Sequence, residues 1–366
     1  MSVIDAIVMN ASLSTFPESE KLSELLNLAT GYQKAKVLFT FAELGVADIL
    51  REKPLSADKI SEKISEKISE KISEKISEKI SEKRKVDALA MERFLNAAVS
   101  VGLLEKDDIN YINSAVSKQF LLSENEFYLG GQIKRYSERS YPVWNDLTGH
   151  LKKWKYGETE ESTPDDDDQG AEAMAEQHNL SLLHGNALAR TFDFSKYKKV
   201  LDLGGGTGAM SIGLCRSFPD LRAIVFDLPE NVEIARKFVE KSNLANRIEC
   251  VGGDFQKDEL PEDFDVALLA NFMSVADVPK NKKTLAQIFG KLPKRGACLV
   301  SGLIMDDSRL SPQTAVLFCL EDICRNAPDV ERSEKVYTGW LEEAGFKNIS
   351  CQTYLEPTKL LRGFKV

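Results

Sequence analysis

From Lys199 onward the chain alternates short apolar runs with helical stretches, and this alternation restricts the possible fold more than any other feature. Val200-Leu201-Asp202-Leu203 reads as a buried strand, and Gly204-Gly205-Gly206-Thr207-Gly208 follows it directly. A helix from Met210 to Phe218 comes next, then a strand from Ala223 to Phe226 that ends in Asp227. The pattern continues with a helix through Val239 and a strand at Ile248 to Val251 leading into Gly253-Asp254-Phe255. A strand at Val266 to Ala270, a helix at Thr284 to Leu292 and a strand at Cys298 to Ile304 follow, and Leu341 to Phe346 precedes a last pair of strands. Strands separated by helices pair in parallel, so a doubly wound α/β domain is expected, with ligands at the carboxyl ends of its strands.

The glycine loop lies where such a ligand would bind. Glycine turns sharply and lets a ligand approach without a Cβ in the way. Gly204, Gly206 and Ala209 formally satisfy a dinucleotide fingerprint, and Asp227 suits a ribose diol in either an NAD or an S-adenosylmethionine (SAM) reading. Three features favour SAM. Asp202 precedes the first glycine by two residues, where a carboxylate meets a cationic amino-acid ligand better than a pyrophosphate. Asp254 ends the third strand beside Phe255, an acceptor for an adenine edge with a stacking neighbour. The nucleotide domain also lies at the C-terminal end, with no room for a later catalytic domain.

The N-terminal half has a different texture. Leu22, Leu25, Leu26 and Ala29, then Ala35, Leu38, Phe39, Ala42 and Leu44, recur at helical spacing until Gly45. Ser56-Ala57-Asp58 starts another helix, Ala88 to Leu104 is amphipathic, and Glu105 to Asn113 reads as a small hairpin, the order of a winged-helix fold. Between them Ile-Ser-Glu-Lys occurs six times in a row, with isoleucines at 60, 64, 68, 72, 76 and 80. A period of four drifts by about 40° per copy around a helix, so no single flat partner buries all six. The repeat is expected to be a solvated, protruding helix inserted at 60–83. Gly157 to Gly170 reads as an acidic, mobile loop. A net charge of −9 argues against general phosphate-backbone affinity, and no apolar run reaches the ~20 residues of a membrane span. Six scattered cysteines without C-x-x-C spacing, and three isolated histidines, give no metal site and imply free thiols in a reducing, cytoplasmic setting.

The successive segments VLDLGGGTG, VFDLPE, GGDF and LEEAGF resemble the motifs of class I SAM-dependent methyltransferases. More narrowly, they resemble the small-molecule O-methyltransferase family that includes caffeic acid and acetylserotonin O-methyltransferases. The resemblance spans nearly the whole chain, apart from the repeat and the acidic loop. It implies a C-terminal Rossmann-like SAM-binding domain (197–366), linking helices (126–196) and an N-terminal, mostly α winged-helix dimerisation domain (1–125). It further implies a homodimer and a hydrophobic or aromatic small-molecule acceptor, without nucleic acid or membrane. SAM contacts are implied at Gly204, Gly206, Asp227, Asp254 and Phe255, and Asp202, Gly208, Leu228 and Asn271 complete the expected cofactor set.

One family element is missing. Members that methylate phenols usually carry a His, within Leu-His-Asp-Trp after the fourth strand, as general base. Here the position falls on Ser274, Val275 or Ala276, with Asp277 matching the following Asp. Gly302 replaces a family Glu, while Glu331 matches a later acidic position. Ser274, Asp277 and Glu331 are therefore the catalytic candidates. The sulfonium donor is already activated, so positioning can supply much of the rate. The lost His matches bacteriochlorophyllide C-20 methyltransferase, a carbon methylator of this family, and leaves a C- or S-acceptor or an inactive SAM-binding regulator as alternatives. His178 and His184 are further candidate bases, and Trp144, Trp154, Met174 and Phe318 are candidate pocket-lining residues.

Overall fold

The structure, a computed structural model, describes residues 19–73, 86–155, 170–274, 276–325 and 332–366. The chain divides into two compact units, after Leu122.

The first unit runs α1 (Ser19–Ala29), α2 (Gly31–Leu44), α3 (Val46–Ile49), β1 (Leu55–Ser56), α4 (Ala57–Ser73), α5 (Ala88–Ser100), β2 (Leu104–Asp107), β3 (Asn110–Asn113) and α6 (Ala115–Phe120). Its strands form a small antiparallel sheet in the order β1-β3-β2, which includes the expected hairpin. Gly45 stops α2 in the left-handed conformation, and Asp87 caps α5 by accepting from the amides of Leu89 and Ala90.

The repeat needs correction here. The isoleucines of its first two copies are core, since Ile60 and Ile64 on α4 are fully buried, while Glu62, Lys63, Glu66 and Lys67 keep the solvated face. Two copies drift by only about 40°, so both isoleucines still face one partner. Burying each contributes roughly 2 kcal/mol, far above the few tenths that like-charged neighbours cost along the exposed face. Val86 returns to the same helix. Its amide donates to Ser65 Oγ at 3.2 Å, and its carbonyl accepts from Ser61 Oγ. Ile76, Ile80 and most of the acidic segment lie outside the described residues.

The second unit begins with α7 (Gly130–Arg135), a π-helical turn (Tyr136–Ser140), α8 (Tyr141–Trp144), α9 (Leu147–Lys153) and α10 (Ala171–Thr191). Then follow β4 (Lys199–Leu203), α11 (Ala209–Ser217), β5 (Arg222–Asp227), α12 (Pro229–Lys241), β6 (Ile248–Gly252), β7 (Val266–Ala270), α13 (Val278–Lys291) and β8 (Ala297–Gly302). The unit closes with α14 (Gln313–Cys324), α15 (Glu334–Ala344), β9 (Lys347–Leu355) and β10 (Thr358–Phe364).

The seven-stranded sheet has the order β6-β5-β4-β7-β8-β10-β9. Its first five strands are parallel, as expected, but β10 is antiparallel to β8 and to β9. A two-residue turn between β9 and β10 leaves no length for a crossover, so the final pair must reverse. Alternate residues feed two cores. Val200, Val225, Val266 and Leu299 face one cluster with residues of α10, α11 and α12. Leu201, Phe226, Leu269 and Val300 face the other with residues of α13 and α15. The order reverses at β4, which pairs with β5 on one side and β7 on the other. That switch point is where Gly204 to Gly208 lies, and it is where a doubly wound sheet opens a crevice.

Candidate functional site

The loop after β4 carries three glycines of positive φ, namely Gly204 (66°), Gly206 (54°) and Gly208 (71°). A Cβ at Gly204 would come within 2.7 Å of the Phe272 ring, so both φ and space demand glycine there. At Gly206 a Cβ would meet only Met174 Cε, at 3.8 Å, so the backbone borders open space.

On one side of the loop the ends of β5 and β6 each lead into an acid. Asp227, ending β5, accepts from Gly206 N through Oδ2 and from Leu228 N and Asn231 Nδ2 through Oδ1, all at 2.8 Å. It thus ties the loop to the start of α12, where Leu228 is the N-cap. Asp254 follows β6 and caps its own turn, accepting from Gln256 N at 2.9 Å and pairing with Lys257 Nζ at 2.8 Å. Lys257, with the turn amide, holds this carboxyl below the usual range. Beyond it, Phe255 packs edge-on against Phe272, with centroids 4.7 Å apart.

Asp202 is completely buried. By the period of β4 it shares a face with Val200, toward α11, where Ser211 Oγ donates to its Oδ2 at 2.7 Å. Its Oδ1 has no hydrogen-bond partner among the described residues. Burial pushes the carboxyl up to about 6. A buried carboxylate oxygen without a donor is costly, and a cationic ligand group is the chemistry that satisfies it. The site therefore fits SAM. It offers an orphaned acid for an ammonium, an open glycine backbone, acids at two strand ends and an aromatic pair.

The acceptor-side candidates are arranged differently. Asn271 sits at the end of β7 with a φ of 53°, and its amide donates to Ser301 O at 2.8 Å. Ser274 follows in the next turn, its Oγ 3.4 Å from Asn271 O. Asp277 is the N-cap of α13, accepting from Lys280 N at 2.9 Å, with Lys280 Nζ at 3.3 Å. The expected start of this helix at Thr284 was too late by six residues, because Asp-Val-Pro is itself a helix-start signal. Glu331 and Val275 lie outside the described residues.

Both histidines prove to be packed into the fold. His178 Nδ1 lies 2.8 Å from Thr207 Oγ1, and its ring stacks on Phe238 with centroids 3.9 Å apart. Burial, aided by the Arg216 and Lys241 charges, lowers its pKa to about 4. His184 Nε2 lies 3.1 Å from Thr358 Oγ1, and burial lowers its pKa as well. Of the pocket candidates, Met174 reaches the glycine loop. Trp144 donates to Glu321 Oε2 at 3.1 Å, Arg332 lies over the Phe318 ring, and Trp154 is half-buried at the end of α9. Sequence reading passed over the contacts of Phe272, Ser211 and Asn231. Only Asn231 carried a signal, its i,i+4 spacing from Asp227 on α12. The described residues contain no group of metal-ligating side chains and no helix long and apolar enough to cross a membrane. All six cysteines are free.

Comparison with known proteins gives a consistent result. The model of the O-methyltransferase domain matches residues 141–347, and that of the O-methyltransferase dimerisation domain matches residues 26–123. The N,N-dimethyltransferase OxyT of Streptomyces rimosus is 30% identical over 331 residues, covering 88% of this chain and 90% of the relative. The 3-hydroxy-5-methyl-1-naphthoate 3-O-methyltransferase of Streptomyces sahachiroi is 28% identical, covering 91% and 92%. Among solved structures, human N-acetylserotonin methyltransferase in complex with SAM superposes with a TM-score of 0.79 at 24% identity, covering 96% of this chain and 99% of that one.

Proposed function

The chain belongs to the O-methyltransferase family, and from that premise we propose that it transfers a methyl group from SAM to a hydrophobic or aromatic small molecule, as a homodimer. The observation that carries this reading is the convergence at the sheet's switch point of open glycine backbone, two strand-end acids and a buried, unpartnered carboxylate oxygen. Asp202, Gly204, Gly206, Gly208, Asp227, Leu228, Asp254, Phe255 and Asn271 form the proposed SAM site. SAM supplies an activated methyl group, and the protein's part is to orient donor and acceptor in line and to exclude water.

Asp277 is read as a helix cap and Ser274 as a neighbour of the acceptor, with Glu331 as the remaining acidic candidate. The reading thus rests catalysis on positioning. One relative is named an N,N-dimethyltransferase and another a naphthoate O-methyltransferase, so aromatic amines and phenols are the first acceptors to try. The small three-stranded sheet and helices of the first unit support a winged-helix dimerisation module, and the free thiols support a cytoplasmic location.

Calorimetric titration with SAM, S-adenosylhomocysteine and NAD tests the donor. Micromolar binding of both adenosyl ligands, weakened at least tenfold by Asp227→Ala and absent for NAD, is expected. Binding of NAD alone overturns the reading. Turnover of phenols or aromatic amines separates the enzyme from a SAM-binding regulator.

A further inference from the structure

Within Gly204 to Gly208, Thr207 is the one residue with a side chain, so it is the loop's only side-chain handle; the other positions can be held through their backbone alone. Three neighbours in the left-handed region make this segment costly to order, at about 1–2 kcal/mol of backbone entropy per residue. A loop that must already be shaped when its ligand arrives needs to be held by its surroundings.

One hold comes from β5, where Asp227 accepts from Gly206 N. The other comes from α10. His178 is 8% exposed and Thr207 6%, and their Nδ1 and Oγ1 atoms are 2.8 Å apart. The imidazole is fixed in turn by its stack on Phe238 of α12, which leaves its Nδ1 edge for the loop. The reach from α10 depends on two glycines. A Cβ on Gly185 would stand 2.8 Å from Met210 O, and one on Gly213 2.9 Å from Asn186 N. The backbones of α10 and α11 therefore touch, and this brings α10 close enough for His178 to meet the loop.

We propose that His178 is a positioning residue for the donor site, a clasp that holds Thr207 and so preshapes the glycine loop for SAM. The inference rests on the SAM reading above. His178 acts through Thr207 and performs no proton transfer, and its lowered pKa keeps the ring neutral across the physiological range. The two holds act on adjacent residues, one from β5 and one from α10, so loss of either leaves the other in place.

The test is SAM affinity by calorimetry, with thermal midpoints and with kcat at saturating SAM. His178→Phe keeps the stack on Phe238 and removes the bond, and Thr207→Val removes the hydroxyl at nearly constant volume. Each is expected to weaken SAM binding roughly tenfold, with kcat at saturation within about threefold of wild type. The double variant should be no weaker than either single one, because both remove the same bond. His178→Asn, which places a polar atom near Nδ1, and Thr207→Ser should restore most of the affinity. Wild-type protein that binds SAM while His178→Phe and Thr207→Val bind it equally well overturns the clasp and leaves the methyltransferase reading intact. A double variant weakened about a hundredfold also overturns it. Wild-type protein that binds no SAM overturns both.

Discussion

Asp202 shows how a single residue can be costly to the fold and useful to the site. Its folded pKa, about 6, stands above the ordinary 3.8 of an aspartate, because burial penalises the charged form. The folded state therefore binds this proton more tightly than the unfolded chain does. The stability Asp202 contributes is complete below about pH 4 and is lost as pH rises through about 6. At neutral pH the ligand-free protein holds a buried charge with one oxygen unpartnered. Asp202→Asn is expected to raise the ligand-free melting temperature by several degrees above pH 7, with the gain shrinking toward pH 4, while SAM affinity falls tenfold or more. Scanning calorimetry across that pH range, with SAM titrations alongside, checks both halves. A variant that melts higher and binds SAM as tightly would remove Asp202 from the donor site.

At the scale of elements, α13 and α10 separate structural from chemical roles. The carboxylate of Asp277 caps α13, and a lost N-cap costs about 1 kcal/mol. Asp277→Ala should lower the melting temperature by roughly 2–4 °C and change kcat by less than about threefold. A tenfold fall in kcat with the melting temperature unchanged would make Asp277 a participant in catalysis instead. The helix α10 carries Met174 and His178 to the glycine loop one turn apart, and its approach depends on Gly185 and Gly213. Neither glycine has a local signature, because helix-on-helix backbone contact joins residues far apart in sequence. The two buried isoleucines of the Ile-Ser-Glu-Lys repeat make the same point. The repeat looks uniform along the chain, yet Ile60 and Ile64 are core because of where α4 begins relative to its neighbours.

At the scale of the whole molecule, the proposed homodimer finds support in α1, which presents Leu22, Leu25, Leu26 and Leu28 with 46–78% of their surface exposed. Sedimentation of the intact chain should give twice the monomer mass, and Leu25→Glu with Leu28→Glu should shift it toward one chain. A double variant that stays dimeric would place the interface elsewhere. The sequence by itself determined the alternating domain, the strand carrying Asp202, the glycine loop and the acids at the ends of β5 and β6. These follow from local periodicity and from glycine's backbone freedom, which are written along the chain. Only the tertiary structure decided that Asp202 is buried with an open oxygen and that Phe272 closes over Gly204. It also decided that the last two strands turn back antiparallel, and that His178, a candidate base by its chemistry, spends its nitrogen on Thr207. Those outcomes depend on which distant side chains share a buried volume, and packing sets that partnership where spacing along the chain does not.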